Sequence, residues 1–406
     1  MYTGLFRPLS GGQSRYNNLI QQLRKRGHAV IVLEPDEYVD AQDCTLATVY
    51  SYKDFKLFGR NFGSFRDFVA NYVLKVLEIV RTNRIDLVQV SHPSGASAVK
   101  LATVIARKHV PIVYAPHNVE SALIAETIIE DRRYERLTSF ERGVIPAYFE
   151  ALERFVAKRV AAGVIAVSDH DREVLINKFS LDPQKVHVVP SGCAAVSLPS
   201  GSERADAREK LGIGPEEICV LFHGFYAYGP NREAFKVIQE YIAPRVAVRN
   251  DRVIFLLAGT DAPVFERGNV RSVGFVQDLR HVLASADIAL VPLTTGSGTK
   301  LKVFDYMNYA LPIVATRKAM EGIKANDGHE ALIAENLDEA LISKLLHLSE
   351  DVDERRRIGS NARRLLESTY TWDAIGDQLV IAYEHILREW DVERRGRTRG
   401  SKGAEI

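Results

Sequence analysis

The chain has 406 residues, of which 46% are hydrophobic and 26% charged, and its formal net charge is +1. One hydrophobic core does not fill that length, so two domains of about 150–200 residues are expected, and the near-neutral balance argues against a nucleic-acid partner with a large phosphate footprint. Cys44, Cys193 and Cys219 form no CxxC pair, which argues against a disulfide framework or a cysteine metal cage.

That cysteine usage suits a reducing, cytoplasmic compartment. No apolar run approaches the ~18 residues of a membrane span, and the opening MYTGLFRPLSGG lacks the apolar core of a signal peptide.

In chain order, the strand-like residues 2–6 lead into Ser10-Gly11-Gly12-Gln13 and a helix expected from about residue 14. Buried-strand patterns follow at 28–33, 86–90, 111–114 and 163–167, with helical patterns such as 16–26 and 69–82 between them. This alternation of strand and helix predicts a parallel, doubly wound α/β sheet. A loop rich in Ser, Gly and Pro (190–202) marks a boundary near residue 191. The alternation then restarts, with strands at 218–222, 253–258, 288–291 and 313–315. A helix is expected over 371–390 with Thr371 as its N-cap. The weakly apolar, basic residues 393–406 read as a disordered tail. The expected organisation is therefore a first domain at 1–190, a second at 191–365, a terminal helix within 366–392 and the tail.

Ligands of doubly wound sheets bind outside the carboxyl ends of the strands. Five loops at such ends carry polar or glycine-rich residues. Gly11 and Gly12 precede a helix whose free N–H groups suit a phosphate, although a glycine pair is also an ordinary turn. Ser91-His92-Pro93-Ser94-Gly95 and Pro116-His117-Asn118 follow the strands at 86–90 and 111–114, which aims His92, His117 and Asn118 at a ligand; a structural histidine is the alternative. HGFYAYGPN (223–231) mixes aromatics with glycine, suiting a flat ring or sugar face, or a plain Gly-Pro turn. GSGTKLK (296–302) carries the sharpest signal. Its glycines permit close approach, the N–H groups of Thr299 to Lys302 open a helix, and Lys300 and Lys302 add full charges. Asp305 follows one turn later, placed to accept two hydrogen bonds from a ribose. The combination points to a nucleotide diphosphate.

The block VRSVGFVQDLRHVLASADIALVPLTTGSGTKLKVFDYMNYALPIVATRKAMEGI (270–323) resembles the donor-binding half of retaining glycosyltransferases of the GT-B fold, family 4. SGGQSRYNNLIQQLRKRGHAVIV, APHNVES, AVSDHDREVL, VHVVPSG and FYAYGPNREA extend the likeness over most of residues 4–385. The resemblance implies two Rossmann-like doubly wound parallel-sheet domains facing across a cleft, with the last helix crossing back to the first domain. It implies hexosyl transfer from a nucleotide-diphosphate sugar, with retention of configuration and no metal or other cofactor, to a glycan, lipid-linked or small-molecule acceptor. His117 would sit by the donor sugar and Lys300 would act on the diphosphate. Gly11, Gly12, Asn118, Ser297, Gly298, Thr299, Leu301, Lys302, Asp305 and Glu321 would line the donor site, with Gly322 beside Glu321. Arg15 and His92 would lie on the acceptor side.

Three departures stand out. Ser297 replaces the family's first acid, and Asp305 is one methylene shorter than the usual Glu. The two usual cations fall at Phe225 and Pro230, leaving Lys300 and Lys302 as the main phosphate charges, with Arg15 and Arg232 as helpers. Ser297 and the missing cationic pair keep open the reading as a non-catalytic nucleotide-sugar-binding subunit; a GT-B epimerase, which should show further acidic residues around the donor sugar, is the other alternative. The aromatic and basic mixture DFKLFGRNFGSFRDFVANY (54–72) suits a membrane surface and a lipid-linked acceptor. Its phenylalanine spacing fits a packed helical face equally well.

Overall fold

The runs ICVLFH and VIFLLA have no alternation of polar and apolar residues, so strands made from them need cover on both faces. In the computed structural model, which describes residues 11–36, 47–53, 56–57, 60–61, 70–122, 124, 138–296 and 298–402, both runs are strands with every residue buried. The chain divides into two units, Met1–Ser191 with Ile375–Ile406, and Gly192–Ala374.

In chain order, the first unit contains α1 (Gly11–Lys25), β1 (Ile31–Pro35), β2 (Thr48–Tyr52), β3 (Lys56–Leu57), β4 (Arg60–Asn61), α2 (Ala70–Thr82), β5 (Val88–Val90), α3 (Ala96–Ile105), β6 (Ile112–Tyr114), α4 (Ser139–Phe155), β7 (Gly163–Ala166), α5 (Asp169–Phe179) and β8 (Val186–Val188). Among the described residues β5 to β8 form a parallel sheet in sequential order, and β1 pairs with β2, also in parallel. Val99, Ala102, Ile112, Val156, Val164 and Leu175 fill the core between this sheet and its helices.

The second unit contains α6 (Gly201–Lys210), β9 (Ile218–His223), α7 (Gly229–Val237), α8 (Ala243–Ala247), β10 (Val253–Ala258), β11 (Val264–Arg267), β12 (Val270–Val273), α9 (Leu279–Ser285), β13 (Ile288–Val291), α10 (Lys302–Asn308), β14 (Ile313–Thr316), β15 (Leu332–Ala334), α11 (Glu339–Glu350) and α12 (Val352–Leu365). Its seven strands run β11-β12-β10-β9-β13-β14-β15, all parallel except β11, which pairs antiparallel with β12. Leaving aside the antiparallel edge strand β11, the six parallel strands follow the Rossmann order 3-2-1-4-5-6. The order reverses between β9 and β13, the point at which sheets of this kind form a ligand crevice at the carboxyl ends of the strands.

The last helix, α13 (Trp372–Lys402), takes Thr371 Oγ1 as the acceptor for the Ala374 N–H at 3.4 Å. From Ile375 it belongs to the first unit, where Tyr383 donates to Gln89 Oε1 at 2.5 Å and Asp377 pairs with Arg26 at 2.7 Å.

Several expectations are corrected. Residues 393–402 are helical, not disordered. Arg and Lys favour helix strongly enough to extend a formed coil, and Glu393 anchors the extension by pairing with Lys185 at 2.6 Å; residues 403–406 lie outside the described residues. The second unit continues past 365 to Ala374. Leu366 and Tyr370 are buried in its core, and Tyr370 OH accepts from the Lys324 N–H at 2.7 Å. Helix α1 begins at Gly11 rather than near residue 14, so Gly11 and Gly12 form its first turn. Strands β11, β12 and β15 are not evident from the sequence because VFER and VRSV are short and carry charges, and LIA spans three residues. Residues 56–57 and 60–61 form a small antiparallel pair, not a helix. The expected strand at 2–6 and the phenylalanines of 54–68 lie outside the described residues.

Candidate active site

Two loops leave the crevice of the second unit. After β9 comes Gly224, whose backbone lies so close to the end of β10 that an added Cβ at Gly259 would sit 1.8 Å from the Gly224 carbonyl oxygen. Gly259→Ala is therefore expected to force the two strand ends apart and to cost about 1–3 kcal/mol. Differential scanning calorimetry reads this as a lowered thermal midpoint, and an unchanged midpoint would refute the tight packing.

After β13, Gly296 and Gly298 take φ of 99° and 71°. These left-handed values are costly for any residue with a Cβ. The resulting turn folds back so that Lys300 Nζ donates to Gly296 O at 3.0 Å and Gly298 O at 2.7 Å, and Lys300 is buried. Lys302 Nζ donates to Asn231 Oδ1 at 2.6 Å and lies 4.0 Å from the centre of the Phe222 ring. Asn231 is itself fixed by donating to Phe225 O at 2.9 Å. Burial and the neighbouring Lys300 lower the Lys302 pKa to about 7, against the opposing pull of Asp305. An incoming phosphate would restore the full charge.

Asp305 retains 41% of its side-chain exposure, and its Oδ2 lies 3.5 Å from His223 Nε2. Burial lifts its pKa to about 7, with Lys302 pulling the other way. His223 closes the cluster. Its N–H donates to Tyr306 OH at 2.9 Å, and its ring meets the Tyr306 ring edge-on at 5.0 Å. Burial and Lys302 hold the imidazole neutral, with its pKa down at about 3. Two buried polar atoms here have no hydrogen-bond partner, His223 Nε2 and Thr299 Oγ1. Buried polar groups are normally satisfied, so each of these atoms could take a hydrogen bond from or to a polar ligand.

The remaining donor-side residues fall around these loops. Leu301 is the 40% exposed cap of α10, and Gly298 is half-buried. Ser297 lies outside the described residues. Glu321 follows β14 and pairs with Lys318 at 2.8 Å, next to Gly322 at φ 83°.

In the first unit, His117 and Asn118 are half-buried after β6. The His117 ring packs 4.4 Å from the Tyr16 ring, and burial with Arg15 nearby lowers its pKa to about 4, so it is neutral at physiological pH. Arg15 is buried and turned to the main chain: it donates to Val189 O at 2.6 Å, to Pro190 O, and to Ser191 Oγ at 3.4 Å. It thus ties α1 to the end of β8. His92 follows β5 and contacts Ser94 Oγ at 2.8 Å. Among the described residues no group of three or more His, Cys, Asp or Glu could hold a metal ion, and no helix is long and apolar enough to cross a membrane.

Residues 10–195 match the family model described as Glycosyltransferase Family 4, and residues 217–351 match Glycosyl transferases group 1. The chain belongs to these glycosyltransferase families. The chain is 24% identical over 245 residues to the MMP alpha-(1->4)-mannosyltransferase of Mycolicibacterium hassiacum, covering 59% of this chain and 57% of that protein. It is 22% identical over 228 residues to an Escherichia coli UDP-Gal:alpha-D-GlcNAc-diphosphoundecaprenol alpha-1,3-galactosyltransferase, covering 52% of this chain and 57% of that one. The match thus spans 57% of the length of both curated relatives. The fold is that of Anabaena HepE, solved with UDP and glucose, with a TM-score of 0.62 at 17% identity over 92% of this chain and 96% of that one. It is the GT-B fold.

Two members of the cluster stand outside the charged motif of 296–305. His223 and Asn231 stand in the HGFYAYGPN loop, which was noted only for its aromatics. Their signal in the sequence is a histidine that ends a continuous apolar strand run and opens a glycine-containing loop.

Proposed function

We propose that this chain transfers a hexosyl group from a nucleotide-diphosphate sugar to a hydroxyl acceptor, retaining the anomeric configuration and using no metal ion. The observation that carries this reading is the crevice at the strand-order reversal, where Thr299, Lys302, Asp305 and His223 converge and two buried polar atoms await partners. In this reading Lys302 and the amides from Thr299 onward hold the diphosphate. Asp305 accepts from the ribose hydroxyls. His223 Nε2, adjacent to Asp305, supplies a further hydrogen bond to the same ligand.

The chemistry required of the protein is to stabilise charge that builds on the departing diphosphate, and pre-set donors do this without reorganising at the moment of reaction. Retention follows if the acceptor attacks the face from which the diphosphate leaves. His117 in the first unit, its ring braced by Tyr16, is neutral, which makes it a hydrogen-bonding group and not a cation. The names of the curated relatives, a mannosyltransferase and a galactosyltransferase, support a hexose. The second relative's diphosphoundecaprenol acceptor supports a lipid-linked sugar as one acceptor class and peripheral contact with the inner face of the membrane.

Isothermal titration with UDP and GDP, followed by NMR of the product from a UDP- and GDP-hexose panel, tests the reading. Binding of one diphosphate and an axial or equatorial linkage matching the donor's anomer are expected. Absence of binding to either diphosphate, or an inverted linkage, overturns the proposal.

A further inference from the structure

The amino ends of β9, β10 and β13 carry a concentration of arginine that the transfer chemistry does not use. Ile218 opens β9, Arg252 precedes β10 and Asp287 precedes β13, whereas the donor loops leave the carboxyl ends of β9 and β13. The length of β9 separates the two ends by about 20 Å, at ~3.3 Å per residue. At the amino end lies a cavity of about 350 Å³ whose walls include Arg204 and Arg208 of α6, Arg252, Arg355 of α12, Asp287 and Glu216.

Part of this arginine is structural. Arg204 and Arg208 pair with the two oxygens of Asp287 at 2.6 and 2.9 Å, and they close the end of α9 by donating to the carbonyls of Ala284, Ser285 and Ala286. Glu217, also on the wall, is taken by Arg271 at 3.2 Å. Two groups keep donors to spare. Half-buried Arg355 gives Nη1 to Leu348 O at 2.6 Å and Ser349 O at 3.0 Å, at the end of α11. Among the described residues its Nε and Nη2 have no hydrogen-bond partner, and no carboxylate forms an ion pair with it. Arg252 gives Nε and Nη2 to Glu216, and its Nη1 has no partner among the described residues. Glu216 is 84% exposed, so that ion pair contributes little and yields at small cost. Burial lowers the Arg355 pKa; Asp287 and Asp351 pull the other way, and Arg204 and Arg252 add like-charge repulsion. An anion held by Arg355 and Arg252 would relieve that repulsion.

We propose that Arg355 and Arg252 form a second ligand site of this chain, an oxyanion site that takes the phosphate group of a small phosphomonoester. The adjacent Nε and Nη2 of Arg355 make the planar fork that matches two phosphate oxygens, and Arg252 Nη1 is a donor for a third. The cavity falls at the small end of the range of ligand pockets, about 300–1,000 Å³, so it has room for more than a bare ion. Asp287, Glu216 and Glu217 on its wall select against a ligand that carries further negative charge beyond the one phosphate. The site is independent of the transferase reading, because no residue of the donor crevice enters it.

Calorimetry at low salt tests the site with inorganic phosphate, glycerol 3-phosphate and glucose 6-phosphate as probes, and with malonate as a dicarboxylate. At least one phosphomonoester is expected to bind saturably, and more tightly than inorganic phosphate. Arg355→Gln should weaken its binding about 10–100-fold and Arg252→Gln about tenfold, the losses expected for charge-assisted hydrogen bonds. Arg355→Lys, which keeps the charge and lacks the fork, should also bind about tenfold more weakly. Lys302→Ala, in the distant donor crevice, should stay within about twofold of wild type. A cooperative thermal transition shows that each variant is folded. UDP and GDP affinities, expected to be unchanged in the arginine variants, are measured separately, so failure of the donor reading is distinguishable from failure of this site. Absence of saturable phosphomonoester binding overturns the proposal, as does binding that survives in both Arg355→Gln and Arg252→Gln. A loss confined to Lys302→Ala would put the phosphate in the donor crevice and overturn it too. Inorganic phosphate or malonate binding as tightly as the phosphomonoesters overturns the assignment of the ligand.

Discussion

Lys300→Ala is expected to cut turnover about 10²–10³-fold, the loss typical of removing one preorganised donor. Lys300 has two tasks in this structure. Its ammonium donates to Gly296 O and Gly298 O, which holds the left-handed glycine turn closed, and it adds the second positive charge behind Lys302. Alanine removes the charge and leaves two loop carbonyls without their donor, so the amides that follow lose their fixed direction. Because the contribution is largest when negative charge develops, kcat should fall more than KM rises. Steady-state kinetics with the preferred nucleotide sugar measures this. Turnover within about twofold of wild type would remove Lys300 from the mechanism.

Asp305→Ala should weaken nucleotide diphosphate binding roughly 10–100-fold, because hydrogen bonds to a charged group contribute about 1.5–3 kcal/mol. Asp305 sits one turn into α10 with His223 Nε2 at 3.5 Å, so its carboxylate is oriented before any ligand arrives. The pH dependence has a definite sign. Burial raises the Asp305 pKa to about 7, so the acceptor form grows as pH rises through that value. Lys302, with a pKa of about 7, loses charge over the same interval and would mask the effect for a diphosphate. Uridine and guanosine lack phosphate, so whichever of them binds should bind more tightly as pH rises from about 6 to about 8. Asp305→Asn should flatten that slope. Calorimetry with the nucleoside and the diphosphate decides both points, and wild-type affinity in Asp305→Ala would rule out the ribose contact.

The second unit was legible where its signals are local. Glycines at positive φ, a lysine pair and a helix start fall within about a dozen consecutive residues, so the turn they build is readable from local sequence. The strand runs at 253–258 and 288–291 kept their predicted bounds because continuous apolar runs flanked by polar residues leave little freedom at the ends. The edge strands β11 and β15 escaped because pairing with a neighbour, not composition, stabilises them. The tail from residue 393 looked too polar to fold, yet propagating an existing helix costs far less than nucleating one. Arg15 shows the limit of reading function from charge: the structure places its guanidinium among main-chain carbonyls at the end of β8.

Short-range pattern determined the parallel α/β class, the restart of the alternation after residue 191 and the glycine-lysine loop, because each depends on residues within one or two turns of one another. Tertiary structure alone decided that β9 and β13 are neighbours, and hence that His223 and Asn231 meet Lys302 and Asp305 across about 70–80 positions of chain. Strand order and burial set these contacts, and neither leaves a fixed spacing in the sequence.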